Sequence, residues 1–176
     1  MYITKPDKGD YANFQEKYID KIEEGDILEI LSRQIDRAVV IFEKFKGNGD
    51  LRYEEDKWTV KQVIQHITDA ERVFSYRLLR LGRGDETPLP GFDENSYAET
   101  ANVEHRDEEE LISELVAVRS GTFSLVKSLT GEMISGSGVT GDYRITVPAL
   151  LYVIAGHFEH HLYILEERYA PLLQDG

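Results

Sequence analysis

Apolar residues recur at every third or fourth position through four long stretches of this chain, and each stretch is bounded by strong turn or capping signals. The first runs from about Ile27 to Phe45, with Ile27, Leu28, Leu31, Ile35, Ala38, Val39 and Phe42 on one face, and stops at Gly47-Asn48-Gly49-Asp50. The second opens with a reciprocal capping pair, Thr59 and Gln62, and with Trp58 and Val63 as a hydrophobic staple. Its stripe reads Val60, Val63, Ile64, Ile67, Ala70, Phe74, Leu78 and Leu81, ending at Gly82 and Gly84. The third starts at Asp107, with Glu110 three residues on, and carries Leu111, Ile112, Leu115, Val118, Thr122, Leu125, Val126 and Leu129. The fourth starts near Thr146, tolerates Pro148 in its first turn, and runs to about Tyr169, before Pro171.

Between these stretches the signals are weaker. A shorter helix is expected around Tyr11 to Glu24, ending near Gly25. The stretch from Arg83 to Arg106 holds Pro88, Pro90 and Gly91 with little periodicity, and reads as a long lid, binding loop or packed excursion. Gly131 to Gly141 reads as a turn region with room for a short hairpin. Four amphipathic helices predict an all-α four-helix bundle over residues 1–176, a single domain with few or no strands. The long second connection implies that not every pair of neighbours is joined by a tight hairpin.

Composition narrows the function classes. A length of 176 residues can bury a core without covalent staples. The net charge of -13, with no dense Lys/Arg block, argues against nucleic acid, whose phosphates call for a basic patch. Arg77, Arg80 and Arg83 line up on one helix and read as a solvated or ligand-facing stripe. The absence of cysteine excludes disulfides, thiolate zinc knuckles and a cysteine nucleophile, and fits a reducing cytoplasm. Met1 to Asp10 is polar, without a signal peptide's apolar stretch, and no run approaches the roughly 20 apolar residues that span a bilayer. The expected setting is cytoplasmic, with no membrane.

The five histidines carry most of the chemistry: His66, His105, His157, His160 and His161. At about 100° per residue, His161 falls about 20° and His157 about 60° from the centre of the fourth stripe, on the same side and one turn apart. Such an i, i+4 pair can aim both imidazoles at one ion. His66 sits about 60° off the second stripe, where a side chain leans between helices. His160 falls about 120° away, which makes His157/His160 the weaker pair, and His105 lies in the long loop. Three histidines would hold a divalent ion with one position open, as in catalytic zinc sites. Neutral imidazoles suit zinc, nickel and iron, among other metals. Against this stands the ordinary alternative of half-buried histidines bonded to backbone carbonyls.

The stretch from Trp58 to His66, followed by Asp69-Ala70-Glu71-Arg72, resembles the second helix of DinB-like proteins, closest to their YfiT-like branch of inferred metal-dependent hydrolases. Thr87-Pro88-Leu89-Pro90-Gly91-Phe92-Asp93 is similar to a loop of that branch. Gly156-His157-Phe158-Glu159-His160-His161-Leu162, leading to Glu167-Arg168-Tyr169, is similar to its last helix. The resemblance implies an up-down-down-up bundle, frequently a homodimer, with a metal triad of one histidine from the second helix and two spaced HxxxH from the fourth. Those positions are His66, His157 and His161. It also implies a thiol-dependent S-transferase, using a low-molecular-weight thiol such as bacillithiol, or a hydrolase. One divalent ion would serve either, zinc or nickel first and iron or manganese next.

Roles outside the triad are candidates only. Asp69 could accept a hydrogen bond from a ligand imidazole, or be an ordinary helix carboxylate. Arg77, three turns beyond His66 or about 16 Å by rise, could hold an anionic end of a small-molecule substrate, or pair with a glutamate. Arg168, two turns beyond His161, carries the same ambiguity. Glu159 projects away from the stripe. Phe92 and Tyr97 could line an apolar pocket or pin the long loop. Three readings stay open: a metal-dependent enzyme, a non-catalytic metal or small-molecule binding bundle, and a structural bundle with core-edge histidines.

Overall fold

The computed structural model describes residues 1–174. A two-residue strand, β1 (Tyr2–Ile3), leads through a 3-10 turn at Asn13–Gln15 into the short helix α1 (Glu16–Ile19). The strand β2 (Gly25–Asp26) then pairs antiparallel with β1. α1 is one turn of helix rather than the longer helix expected over Tyr11 to Glu24, because the chain turns back after Asp20 to form the β1–β2 pair.

The long helices follow their stripes and caps. α2 (Ile27–Glu43) starts at Asp26, whose carboxylate accepts from the Leu28 and Glu29 amides. α3 (Val60–Gly82) starts in a full capping box: Gln62 N–H donates to Thr59 Oγ1 at 3.1 Å, and Thr59 N–H to Gln62 Oε1 at 2.9 Å. The connection after α3, expected to be a loop, contains the helix α4 (Glu94–Thr100), capped by Asp93 and burying only Ala98. One buried residue leaves no periodicity to read.

α5 (Glu108–Lys127) starts on Asp107, and the short α6 (Gly131–Ile134) follows. The strands β3 (Ser137–Thr140) and β4 (Tyr143–Thr146) form a hairpin that turns through Gly141 at φ 60°. α7 (Val147–Ile164) begins on a Thr146 cap with Pro148 in its first turn. At Leu165–Tyr169 the helix widens to a π turn and then tightens to a 3-10 helix over Ala170–Gln174. No helix among the described residues is long and apolar enough to cross a membrane.

Four helices, α2, α3, α5 and α7, make the bundle. α2 and α3 each pack on both α5 and α7, so the two consecutive helices α2 and α3 lie diagonally. Cross-links fix the directions. Gln34 donates to the Ala155 carbonyl at 2.9 Å and Arg37 reaches Glu166, so α2 and α7 run parallel. Arg106 bonds Gln65 at 2.9 Å and Arg119 pairs with Glu71 at 2.8 Å, so α3 and α5 run parallel too. His66, early in α3, meets His157, late in α7, so these two are antiparallel. The order is up-down-down-up. Parallel neighbours cannot share a short hairpin, and this is the physical reason for the long α3–α5 connection.

The core forms two apolar clusters. One gathers the second half of α3, the first half of α7 and the N-terminal segment; the other gathers the second half of α2, the first half of α3 and the end of α7. At their boundary lies a buried polar level containing Gln34, His66, Glu71, Arg119 and His157. The candidate site is in this level.

Candidate metal centre

The Thr59 cap sets where α3 begins, and that phase turns His66 towards α7. On α7, His157 and His161 stand one turn apart and face α3. One ring nitrogen from each of His66, His157 and His161 falls in a group whose members all lie within 4.8 Å of one another. The Nε2 atoms of His66 and His157 are 3.0 Å apart. Ligand nitrogens on a tetrahedral zinc lie about 3.3 Å apart, so small ring movements would seat an ion. The residues are 6%, 6% and 9% exposed, so all three rings are largely shielded from bulk solvent.

Burial keeps these rings neutral. It pulls His66 down to about 4, with a smaller contribution from His160. It lowers His157 and His161 well below the ordinary imidazole range, each helped by its histidine neighbours. Neutral imidazole is the metal-binding form, so no proton has to be displaced near pH 7. Among the described residues none of the three rings bonds to a carboxylate or a backbone carbonyl. That removes the ordinary explanation of a buried histidine. The donor set fits a divalent ion of borderline softness.

An aromatic collar surrounds the triad. Trp58 stands with its ring centroid 4.6 Å from that of His66 and stacks at 6.4 Å on His161. Tyr18 and Phe74 each meet His157 edge-on at 5.3 Å. Sequence reading missed this collar. Trp58 looked like a capping staple and Phe74 like plain core, and Tyr18 arrives from an element remote in sequence.

The other candidates are placed as follows. Asp69 accepts from Gln65 at 3.0 Å and from Arg72 at 3.1 Å, not from an imidazole. Arg168 is exposed and does not line the cavity beside the triad. Glu159 is turned to Arg37 and Gln34. His160 is half-buried with its ring 5.1 Å from His161, outside the nitrogen cluster, and His105 is exposed. Of the predicted arginine stripe, Arg80 pairs with Asp85, while Arg77 is buried.

Arg77 donates to the Pro90 carbonyl at 2.9 Å and lies over the rings of Phe74 and Phe92. It lines a cavity of about 260 Å³ that also reaches His66 and His157. Phe92 lines the same cavity, whereas Tyr97 packs behind it at 5.4 Å and faces an outer hollow.

Fold and site together define a helical bundle with three histidines converging from two antiparallel helices. Residues 30–165 match the model of the DinB superfamily, and the chain belongs to that superfamily. It is 31% identical over 112 residues to a protein of Oceanobacillus iheyensis provisionally named metal-dependent hydrolase OB0413; the match covers 62% of this chain and 64% of that one. It is 24% identical over 139 residues to YfiT of Bacillus subtilis, also provisionally named a metal-dependent hydrolase, covering 77% and 76%. The solved structure of YfiT, described as a probable metal-dependent hydrolase with an unusual four-helix bundle topology, superposes with a TM-score of 0.71 at 22% identity, over 96% of this chain and 93% of that one.

Proposed function

We propose that this chain is a metal-dependent enzyme in which His66, His157 and His161 hold one divalent ion, zinc or nickel in preference to iron or manganese. The observation that carries this reading is the convergence of three buried imidazole nitrogens within 4.8 Å, without carboxylate or carbonyl partners among the described residues. When bound, such an ion supplies Lewis acidity that makes a water or a thiol nucleophilic near neutral pH. The protein's own part is to keep the three rings neutral by burial, to orient them with Trp58, Tyr18 and Phe74, and to set His66 and His157 against a small cavity. The chain has no cysteine, so any thiol must come from a small-molecule cosubstrate. Hydrolysis and thiol S-transfer both fit, and the names of the relatives favour hydrolysis. The cytoplasmic setting and homodimer belong to the same reading.

Metal analysis by plasma mass spectrometry tests it. Untagged protein should carry close to one ion per chain, and a His157→Ala/His161→Ala double variant none. A parent that is metal-free and cannot be reloaded with zinc, nickel or manganese would leave the triad structural.

A further inference from the structure

Arg77 has no use in the metal centre itself, and its surroundings are unusual for an arginine. It is 5% exposed, and among the described residues no carboxylate pairs with it. Its guanidinium donates to the Pro90 carbonyl at 2.9 Å and has the Tyr143 side chain as a second polar neighbour, and among the described residues its remaining N–H donors meet the cavity rather than a carboxylate. Buried charge is ordinarily paired, as the same protein does for Arg119 with Glu71. Arg77 instead faces the cavity that His66 and His157 line.

Distance and charge define what would complete it. The ring of Phe74 stands 5.3 Å from that of His157 and 6.0 Å from the Arg77 guanidinium carbon, so Arg77 and His157 are separated by no more than about 11 Å. Phe74 and Phe92 carry the guanidinium on their faces, and Tyr18 adds an apolar wall. The other charged residues lining the cavity are Lys17 and Glu94, which offset each other and leave one net positive charge. At the Arg77 end of the cavity, apart from the charge of an ion on the triad, one planar cation with one charge to neutralise matches a carboxylate, held bidentately, better than a dianionic phosphate.

We propose that Arg77 is the binding residue for a carboxylate on the small-molecule substrate, whose reacting group reaches the triad some 11 Å away or less along the aromatic wall. The proposal deepens the enzyme reading and rests on it for the word substrate. The subsite itself requires only the cavity and Arg77. The substrate class is thus a small amphipathic acid: an anionic end, an apolar middle, and a reactive end at His66 and His157.

The test uses two pairs of probes that differ only in charge. Phenylbutyrate and phenylbutanol are titrated into metal-free protein, and mercaptohexanoate and mercaptohexanol into zinc-loaded protein. Calorimetry reads affinity, and the Arg77 Nε–Hε resonance reports contact. Each acid should bind roughly tenfold or more tightly than its alcohol, as expected for a charge-assisted bond, and should shift the Arg77 resonance. Arg77→Gln should reduce the acid to the level of the alcohol, and Arg77→Lys should restore part of the difference. Metal content should not change in either variant. Equal affinity of acid and alcohol for the parent protein, or no binding of either, would overturn the subsite. So would a preference that survives Arg77→Gln. The parent comparison needs no variant to fold. Discrimination by protein that never retains metal would uphold the subsite while refuting the enzyme reading, and metal retention without discrimination would do the reverse.

Discussion

Gly156 and Tyr18 are packed backbone to backbone: a Cβ on Gly156 would stand 2.1 Å from the Tyr18 carbonyl oxygen. The contact brings α1 onto α7, and it places the Tyr18 ring against His157. In an ordinary helix, replacing glycine with alanine gains up to about 1 kcal/mol from propensity. Here the methyl meets rigid backbone, and overpacking of that kind costs about 1–3 kcal/mol. Gly156→Ala should therefore lower stability in urea denaturation and speed amide exchange at residues 16–19. A stabilised variant would show that α1 is not held by this contact.

Trp58 is the single tryptophan, and its ring is centred 4.6 Å from that of His66. Nickel or cobalt bound at the triad should quench its fluorescence in proportion to occupancy. The His157→Ala/His161→Ala variant should show no saturable quenching. Equal quenching in both proteins would place the ion elsewhere.

The metal-free protein should be sensitive to mild acid. His66 titrates at about 4 in the fold against 6.5 unexposed to it, because burial opposes its charge. The unfolded chain therefore binds the extra proton first, and the His66 share of stability falls as pH drops from 6.5 towards 4 and then levels, while His157 and His161, lowered further, continue the loss. His66→Asn should remove this part of the slope in denaturation curves taken across that window. Identical slopes for the two proteins would contradict the assignment.

Glu71 and Arg119 are 3% and 2% exposed and form an ion pair at 2.8 Å across α3 and α5, with Arg119 also 4.0 Å over the Phe158 ring. Removing one partner strands a buried charge, so Arg119→Met alone should cost about 3–5 kcal/mol. Replacing both, as Glu71→Leu/Arg119→Met, should recover most of that loss. A double variant as unstable as the single one would mean that packing, not charge, decides this level of the core.

Much of the architecture was legible because its signals are local. The caps at Thr59, Asp107 and Thr146 mark helix starts by side chains within three residues of the amides they satisfy. The stripe of α3 and the i, i+4 spacing of His157 and His161 are likewise read from helix geometry alone. α4 was not legible, since seven residues with only Ala98 buried leave no period. The extent of α1 was misread because its limits are set by pairing of β1 with β2 and by contact with Gly156.

By itself the sequence determined four helices, the capped starts of three of them, and the placement of three histidines on the inward sides of two helices. Each of these depends on residues a few positions apart. Only the tertiary structure decided that α3 and α5 run parallel, that Asp69 turns to Gln65 and Arg72 rather than to an imidazole, and that Arg77 finds a carbonyl and a cavity instead of a glutamate. Helical periodicity specifies which face of a helix is buried, but the identity of what it is buried against depends on the path of the chain between distant segments.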